Sequence, residues 1–521
     1  MKENKAIELR NIRKTFGSIV ANDDISLSVG KGEILALLGE NGSGKTTLMN
    51  MLSGIYRPDS GEIFVNGERV HITSPEDAKK LGIGMIHQHF KLVEVMSAAD
   101  NILLGAKDTG FLLTKKRYEK INEISRKFDL EVQPEKPVYE MSVSEKQTLE
   151  ILKVLYYGAS ILILDEPTAV LTPQETTKLF NILRSMKKSG CAVIIITHKL
   201  SEVLEISDRV TILRKGKSVA TVNTSETNAA ELTELMVGRK VELSIERPKA
   251  KTGENLLHVH HLSVESTDAR FAGTDALDDV SFDLDEGEIL GVAGVAGSGQ
   301  KELCEAIAGL QKIKKGAILY KSENIEGKTP RDIIKLGISM SFIPEDRLGM
   351  GLAASLDIVD NMMLKSYRSK PLSPFVDRKT FSAVAQKVVD ELSIVTPSIS
   401  TPVRRLSGGN VQKVLIGREM EANPRVLITA YPVRGLDINS SYTIYDLLNR
   451  QKKTGAGVLF IGEDLDVMLS LCDRIMVLCH GKITGIVKAS ETTKEQLGLL
   501  MTGHALGDDT ANNPESEGEK I

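Results

Sequence analysis

The run Gly39-Glu-Asn-Gly-Ser-Gly-Lys45-Thr46 places three glycines, a lysine and a hydroxyl at the spacing of a loop that wraps phosphate. Glycine lacks a Cβ, so successive backbone N–H groups can converge on anionic oxygens there. Lys45 can reach terminal phosphates, and Thr46 offers a hydroxyl to Mg²⁺. The candidate nucleotide-binding set is therefore Gly39, Glu40, Asn41, Gly42, Ser43, Gly44, Lys45, Thr46 and Thr47. Asp165 and Glu166 follow the apolar run 161–164, at the strand end where open α/β sheets place ligands. Asp165 suits the Mg²⁺ shell and Glu166 suits polarising an attacking water. His198, after the apolar run 193–197, is delivered by a further strand toward the terminal phosphate. Gln88 ends another apolar run and can report γ-phosphate or Mg²⁺ to the helical stretch beyond it, while Phe16 can stack on a base. Each has a plainer alternative: an acidic pair can open a helix, and a phenylalanine can fill a core.

These groups need strands that end at one edge and helices that begin there. Apolar runs at 33–38, 161–164 and 192–197 alternate with longer amphipathic stretches, the pattern of a parallel sheet crossed by helices, and a helix is expected over 47–52. The chain then repeats itself. GENGSGKTTL (39–48) is answered by GVAGSGQKEL (294–303), and the apolar runs by 288–293, 426–429 and 458–461. Farther on, MSVSEKQ (141–147) matches LSGGNVQ (406–412), and ILILDEPTAVLT (161–172) matches VLITAYPVRGLD (426–437). The expected fold is thus α/β with two tandem domains, 1–240 and 255–503, joined by a Lys-, Glu-, Pro- and Gly-rich linker over 241–254. Charged helical stretches at about 90–158 and about 348–422 read as a helical subdomain in each. Residues 504–521 are acidic, free of aromatics and expected to be disordered.

A chain of 521 residues has room for two such cores. Its net charge of −4 supplies no general attraction for nucleic acid. The four cysteines, Cys191, Cys304, Cys472 and Cys479, show no zinc or disulfide spacing. The start MKENKAIELR has no apolar signal region, and no run of about 18 apolar residues exists, so no segment is expected to span a membrane.

Taken with LSGGN (406–410), these motifs resemble those of the ABC ATPases over about 5–503. The resemblance implies ATP and Mg²⁺ as cofactors and a P-loop NTPase fold with two cassettes packed head to tail. Two cassettes on one chain, with IPEDR (343–347) and the endings MVGR (236–239) and MTGH (501–504), look like the importers of simple sugars and nucleosides. The stretches MIHQHFKLVE (85–94), DEPTAVLTPQE (165–175) and TPSISTPVRRLSGGN (396–410) look closer to the nucleoside branch. Such a subunit works from the cytoplasmic face of the membrane, peripherally, through two integral-membrane permease subunits and, beyond them, a solute-binding lipoprotein.

Head-to-tail pairing would combine Phe16, Gly39–Thr47, Gln88, Asp165, Glu166 and His198 with Ser407, Gly408, Gly409 and Asn410, and Asp437 would lean toward the same site. The other pairing is degenerate. Gly294, Gly297 and Gly299 keep a loop and Phe271 an aromatic, but Gln300 replaces Lys45, Lys301 replaces Thr46, Ala430 and Tyr431 replace the acidic pair, and Glu463 replaces His198. Val143 and Ser144 fill the signature's glycine positions, and Thr172 stands where the second half has Asp437. Weak nucleotide binding without turnover is expected there, the alternative being a purely scaffolding domain. The competing readings are a ribose, galactose or xylose importer and, more remotely, a soluble twin ATPase acting on ribosomes or DNA.

Overall fold

Continuous apolar pentads set the architecture. Ile34–Leu38, Ile161–Asp165 and Ala192–Ile196 are buried at every position, as strands covered on both faces must be. The computed structural model describes residues 5–17, 19–87, 90–104, 115–169, 171–239, 244–249, 253–266, 273–342, 351–364 and 377–504. It forms two compact units, Met1–Leu243 and Ser244–Ile521.

In the first unit six strands run in the order Lys217–Asn223, Arg209–Arg214, Ile34–Leu38, Ala192–Ile196, Ile161–Asp165, Ile83–Ile86. All neighbours pair in parallel except the first two. A second, antiparallel sheet runs Ile19–Gly30, Lys5–Phe16, Ser60–Val65, Glu68–Val70. One apolar cluster joins residues of both sheets to Leu48, Met49, Met51 and Leu52 of the helix Lys45–Leu52. That helix begins two residues before the expected 47–52. Its N-cap, Gly44, adopts φ 96°, and left-handed backbone there lets the helix start at once.

The second unit repeats the plan: Ile338–Phe342, Val426–Ala430, Gly457–Ile461, Ile289–Gly294, Arg474–Cys479, Lys482–Lys488 in one sheet, and Asp275–Asp285, Asn255–Glu265, Lys315–Tyr320, Glu323–Asn324 in the other. A buried asparagine fixes the helical region of each unit. Asn101 accepts from Val93 N–H at 2.7 Å and donates to the Val93 and Ser97 carbonyls, and Asn361 makes the same bonds with Ala353 N–H, at 2.9 Å, and with Ala353 and Asp357 carbonyls. Part of the expected linker belongs to the second unit. Arg247 donates to the Cys472 carbonyl at 2.9 Å, just past the helix Leu465–Leu471, and Asn449 donates to the Glu246 carbonyl at 2.5 Å. A cation beside helix-terminal carbonyls is favourable, which explains why a polar stretch is held there.

Each unit also pins its central strand with a lysine–aspartate pair. Asp208 accepts from Ile34 N–H and from Lys187 at 2.5 Å, and Asp473 accepts from Ile289 N–H and from Lys452 at 2.6 Å. The Lys452 side chain is 0% exposed against 35% for Lys187. A buried ammonium stripped of its partner is costly, so Asp473→Ala should destabilise the second unit by about 2–4 kcal/mol. Asp208→Ala should cost the first unit less, and urea unfolding of the two variants measures the difference.

Candidate functional site

At the carboxyl edge of the first unit's parallel sheet, the phosphate loop closes on itself. Gly42 (φ 80°) and Gly44 (φ 96°) take left-handed backbone, and a Cβ on Gly44 would collide with the Ala21 carbonyl and the Asn22 amide. Asn22, fully buried, donates to the Gly44 carbonyl at 3.1 Å and fixes that approach. Lys45 is 8% exposed, and its ammonium donates to the carbonyls of Gly39 (2.6 Å) and Glu40 (3.0 Å). Burial lowers its pKa, while the charges of Glu166, Asp165 and Glu40 act the other way. Glu40, Asn41 and Thr47 lie along the same loop and first helical turn, with Asn41 and Thr46 exposed. The Ser43 hydroxyl is buried without a hydrogen-bond partner.

Asp165 ends its strand and is nearly buried. Burial, then the neighbouring Glu166 charge, pushes its pKa up to about 6, against the pull of Lys45 and a hydrogen bond with Thr46. A hydroxyl and a carboxylate held together in this way form a hard oxygen donor set, which fits Mg²⁺ as it binds alongside substrate phosphates. Glu166 leaves the strand at φ 48°, its N–H donating to the Ile196 carbonyl at 2.8 Å. His198 Nδ1 lies 3.0 Å from Glu166 Oε1. That bond is the main cause both of the lowered Glu166 pKa and of the raised His198 pKa. The pair is therefore a carboxylate held ionised beside an imidazole whose ring is largely open to solvent.

Behind the pair lies a network that the spacing of residues did not signal. The buried Glu202 accepts from Thr168 at 2.6 Å and Thr197 at 3.3 Å, and Lys199 reaches it at 3.1 Å. It ties the turn after Glu166 to the turn carrying His198. Thr168 and Glu202 are 34 residues apart, and only the fold makes them neighbours.

The second unit keeps the frame and changes its chemistry. Gly297 (φ 89°) and Gly299 (φ 103°) repeat the left-handed glycines before the helix Gln300–Ile307. The buried Gln300 amide donates to the Val295 carbonyl at 3.2 Å, the counterpart of the Lys45 bond to Glu40, and lies against Gly294. Lys301 points its ammonium to within 3.8 Å of Glu305. Tyr431 takes the position of Glu166 with φ 52° and the same bond, its N–H to the Ile461 carbonyl at 2.9 Å. Its ring packs on the apolar cluster that contains Leu303 and Cys304, and burial pushes its hydroxyl up to about 12. Ala430 is buried, and Glu463 pairs with Arg434 at 3.4 Å.

The two signature segments differ at their helix starts. Ser142 and Glu145 form a capping box: Ser142 Oγ accepts from Glu145 N–H at 3.2 Å, and the Glu145 carboxylate accepts from Ser142 N–H at 2.7 Å and from Lys136 at 2.7 Å. A carboxylate sits where an anion would bind. The helix Gly408–Glu421 has neither a side-chain cap nor an acid in its first turn. Asn410 donates to Ser407 Oγ at 2.9 Å and accepts from Val395 N–H at 3.0 Å, which holds the segment in shape and leaves Ser407 and Gly408 exposed. Asp437 caps the helix Ile438–Lys453, accepting from Ser440 N–H and Oγ, so its carboxylate is engaged within its own unit. Thr172 caps the matching helix Pro173–Lys188. Gln88, Phe271 and the stretch IPEDR (343–347) lie outside the described residues.

Two segments, 22–169 and 277–432, match the family model described as ABC transporter. The chain is 45% identical over 501 residues to a guanosine import ATP-binding protein of Bacillus subtilis (strain 168), covering 95% of this chain and 97% of that one. It is 41% identical to a nucleoside import ATP-binding protein of Lactococcus lactis subsp. cremoris (strain MG1363), over 96% and 99% of the two chains. A ribose import ATP-binding protein of Rubrobacter xylanophilus (strain DSM 9941) is 39% identical over 95% and 98%.

A carboxyl whose pKa is raised by folding stabilises the native state below its unfolded value and loses that contribution as pH rises through the folded one. In metal-free buffer without nucleotide, Asp165→Asn should therefore be more stable than the wild type at pH 7, by roughly 1–3 kcal/mol for a shift from 3.8 to about 6. The advantage should disappear below about pH 4. Urea unfolding across that range tests it.

Proposed function

Because the chain belongs to the ABC transporter family, we propose that it hydrolyses ATP at one competent site, formed by the phosphate loop and acidic pair of the first unit and the signature of the second. It is an ATPase and an energy-coupling subunit of an ABC importer. The observation that carries the one-site reading is the contrast between Glu166 and Tyr431: the same backbone turn bears a histidine-paired carboxylate in one unit and a half-buried phenol packed on the apolar core in the other.

In this reading the loop N–H groups, Lys45 and the unpartnered Ser43 hydroxyl hold the triphosphate, Phe16 stacks on the adenine, and Thr46, Asp165 and Gln88 hold Mg²⁺. The chemistry Mg²⁺ supplies when bound there is neutralisation of phosphate charge. Glu166 orients and polarises the attacking water, with His198 fixing its carboxylate and facing the γ-phosphate. Ser407, Gly408, Gly409 and Asn410 bring an uncapped helix N-terminus to the same phosphate, where fixed N–H dipoles stabilise developing charge. Glu145 denies the first unit's own signature that role, because its charge opposes the anion.

The transported solute is a nucleoside in this proposal, supported by the 45% and 41% identical relatives named for guanosine and nucleoside import, against 39% for the ribose protein. ATP binding draws the two units together and hydrolysis releases them, so that two permease subunits alternate their access. In this proposal the protein is attached at the cytoplasmic face through those permeases; no helix among the described residues is long and apolar enough to cross a membrane.

Glu166→Gln should lower ATP turnover of the assembled transporter by about 10²–10⁴, and Gly408→Val with Gly409→Val by about 10². Val143→Gly with Ser144→Gly should leave turnover within about threefold of the wild type, since Glu145 still occupies that helix start. Steady-state phosphate release measures all three, and undiminished turnover by Glu166→Gln would overturn the site. Uptake of labelled guanosine and ribose by a deletion strain decides the solute; loss of ribose uptake alone would replace the nucleoside reading.

A further inference from the structure

Phe16 is 42% exposed at the end of its strand, and two features hold it there. Tyr56 meets the Phe16 ring edge to face, centroids 5.2 Å apart and planes at 71°. Asp59, three residues on, accepts from Thr15 N–H (2.7 Å), Thr15 Oγ1 (2.7 Å) and Lys14 Nζ (2.8 Å), while its own N–H donates to the Arg13 carbonyl at 2.8 Å. The Lys14 and Thr15 bonds hold the Asp59 carboxyl at about 2, so it is ionised throughout the neutral range. Lys14 in turn stands 5.5 Å from the Phe16 ring centre. The residue nonetheless keeps 42% of its surface exposed, and the turn carrying it is bonded at three consecutive residues, Arg13, Lys14 and Thr15, to Asp59 in the segment after the phosphate-loop helix.

The second unit carries the same segment with different side chains. Its backbone is retained: Ile55 and Tyr56 N–H both bond the Asn50 carbonyl, and Leu310 and Gln311 N–H both bond that of Glu305. The side chains are not. Gln311 stands at the Tyr56 position, donating to the Glu265 carbonyl at 2.8 Å, and Lys314 stands at the Asp59 position, paired with Asp275 at 2.6 Å. A purely structural pair would be expected to persist with the backbone it supports. Instead Tyr56 and Asp59 are lost in the unit that also lost Lys45, Thr46, Asp165, Glu166 and His198.

We propose that Tyr56 and Asp59 are positioning residues for base recognition, presenting the Phe16 ring as a preformed platform for the adenine of ATP. The inference rests on the proposed function, in which Phe16 stacks on the base. Neither residue touches the reacting phosphates, so their contribution lies in binding the base and not in the chemical step. Tyr56 acts through its ring contact with Phe16, and Asp59 through the turn geometry.

The test is equilibrium binding of ATP and of inorganic tripolyphosphate to the full chain, with ATP kinetics in the assembled transporter. Tyr56→Ala and Asp59→Ala should each weaken ATP binding about threefold to tenfold and raise KM with kcat unchanged. Tripolyphosphate affinity should stay at the wild-type value, and Tyr56→Phe, which keeps the ring, should restore ATP binding. Wild-type ATP affinity in Tyr56→Ala, or equal loss for ATP and tripolyphosphate, overturns the proposal. Phe16→Ala separates the two layers: if it weakens ATP binding while Tyr56→Ala does not, only the positioning role fails; if Phe16→Ala has no effect, the stacking reading fails with it.

Discussion

A buried ammonium held by two backbone carbonyls is the constraint on which the first unit's site depends. Lys45 can occupy that position only because the loop's left-handed glycines turn the Gly39 and Glu40 carbonyls onto it and because two carboxylates lie near enough to offset part of its desolvation. Those carboxylates are not equivalent. Glu166 has a partner in His198 and stays ionised easily, whereas Asp165 is crowded by burial and by Glu166 and resists ionisation. The site thus holds an imbalance that a cation beside Asp165 would relieve. In the second unit Gln300 makes a neutral version of the same bond, and without the ammonium a buried acidic pair would have no counter-charge; alanine and tyrosine satisfy that site instead.

The signature helices obey the same electrostatic logic with the sign reversed. Free N–H groups at a helix start attract an anion, and any carboxylate already bonded to them removes the attraction. Glu145 does so, supported by Lys136, while the helix at Gly408 has small residues and no acid. The first unit therefore keeps the lysine-bearing loop, and the second keeps the helix start that carries no acid. The division is a matter of which helix terminus is satisfied from within.

Much of this is legible in the sequence because it is local. A phosphate loop needs its glycines, lysine and hydroxyl contiguous, and strands buried on both faces must read as unbroken apolar runs; both survive as patterns in a linear chain. The features that escape are non-local or lie in backbone angle. Nothing in the spacing joins Thr168 to Glu202, and the helix starting at Lys45 depends on the φ of Gly44. Asp437 reads in sequence as leaning toward the nucleotide, and a carboxylate three residues before Ser440 is also an N-cap, a bond the structure shows and the sequence reading did not name. The pattern Ser142-Val-Ser-Glu145 reads as a worn signature, although the serine and glutamate at that spacing are equally a capping box.

Backbone strain gives a sharper criterion for separating fold from function. Glu166, at φ 48°, would on its own suggest strain stored for catalysis, since non-glycine residues rarely adopt such angles. Tyr431 adopts φ 52° with the same N–H bond to the neighbouring strand, in a unit whose acidic pair is gone. The angle therefore belongs to the turn by which this strand leaves the sheet, and its cost, of order 1 kcal/mol, is met by that bond in both units. What the first unit adds is a side chain and its histidine partner. Within a duplicated fold, a feature common to both copies is architecture, and only what differs between them can account for a difference in chemistry.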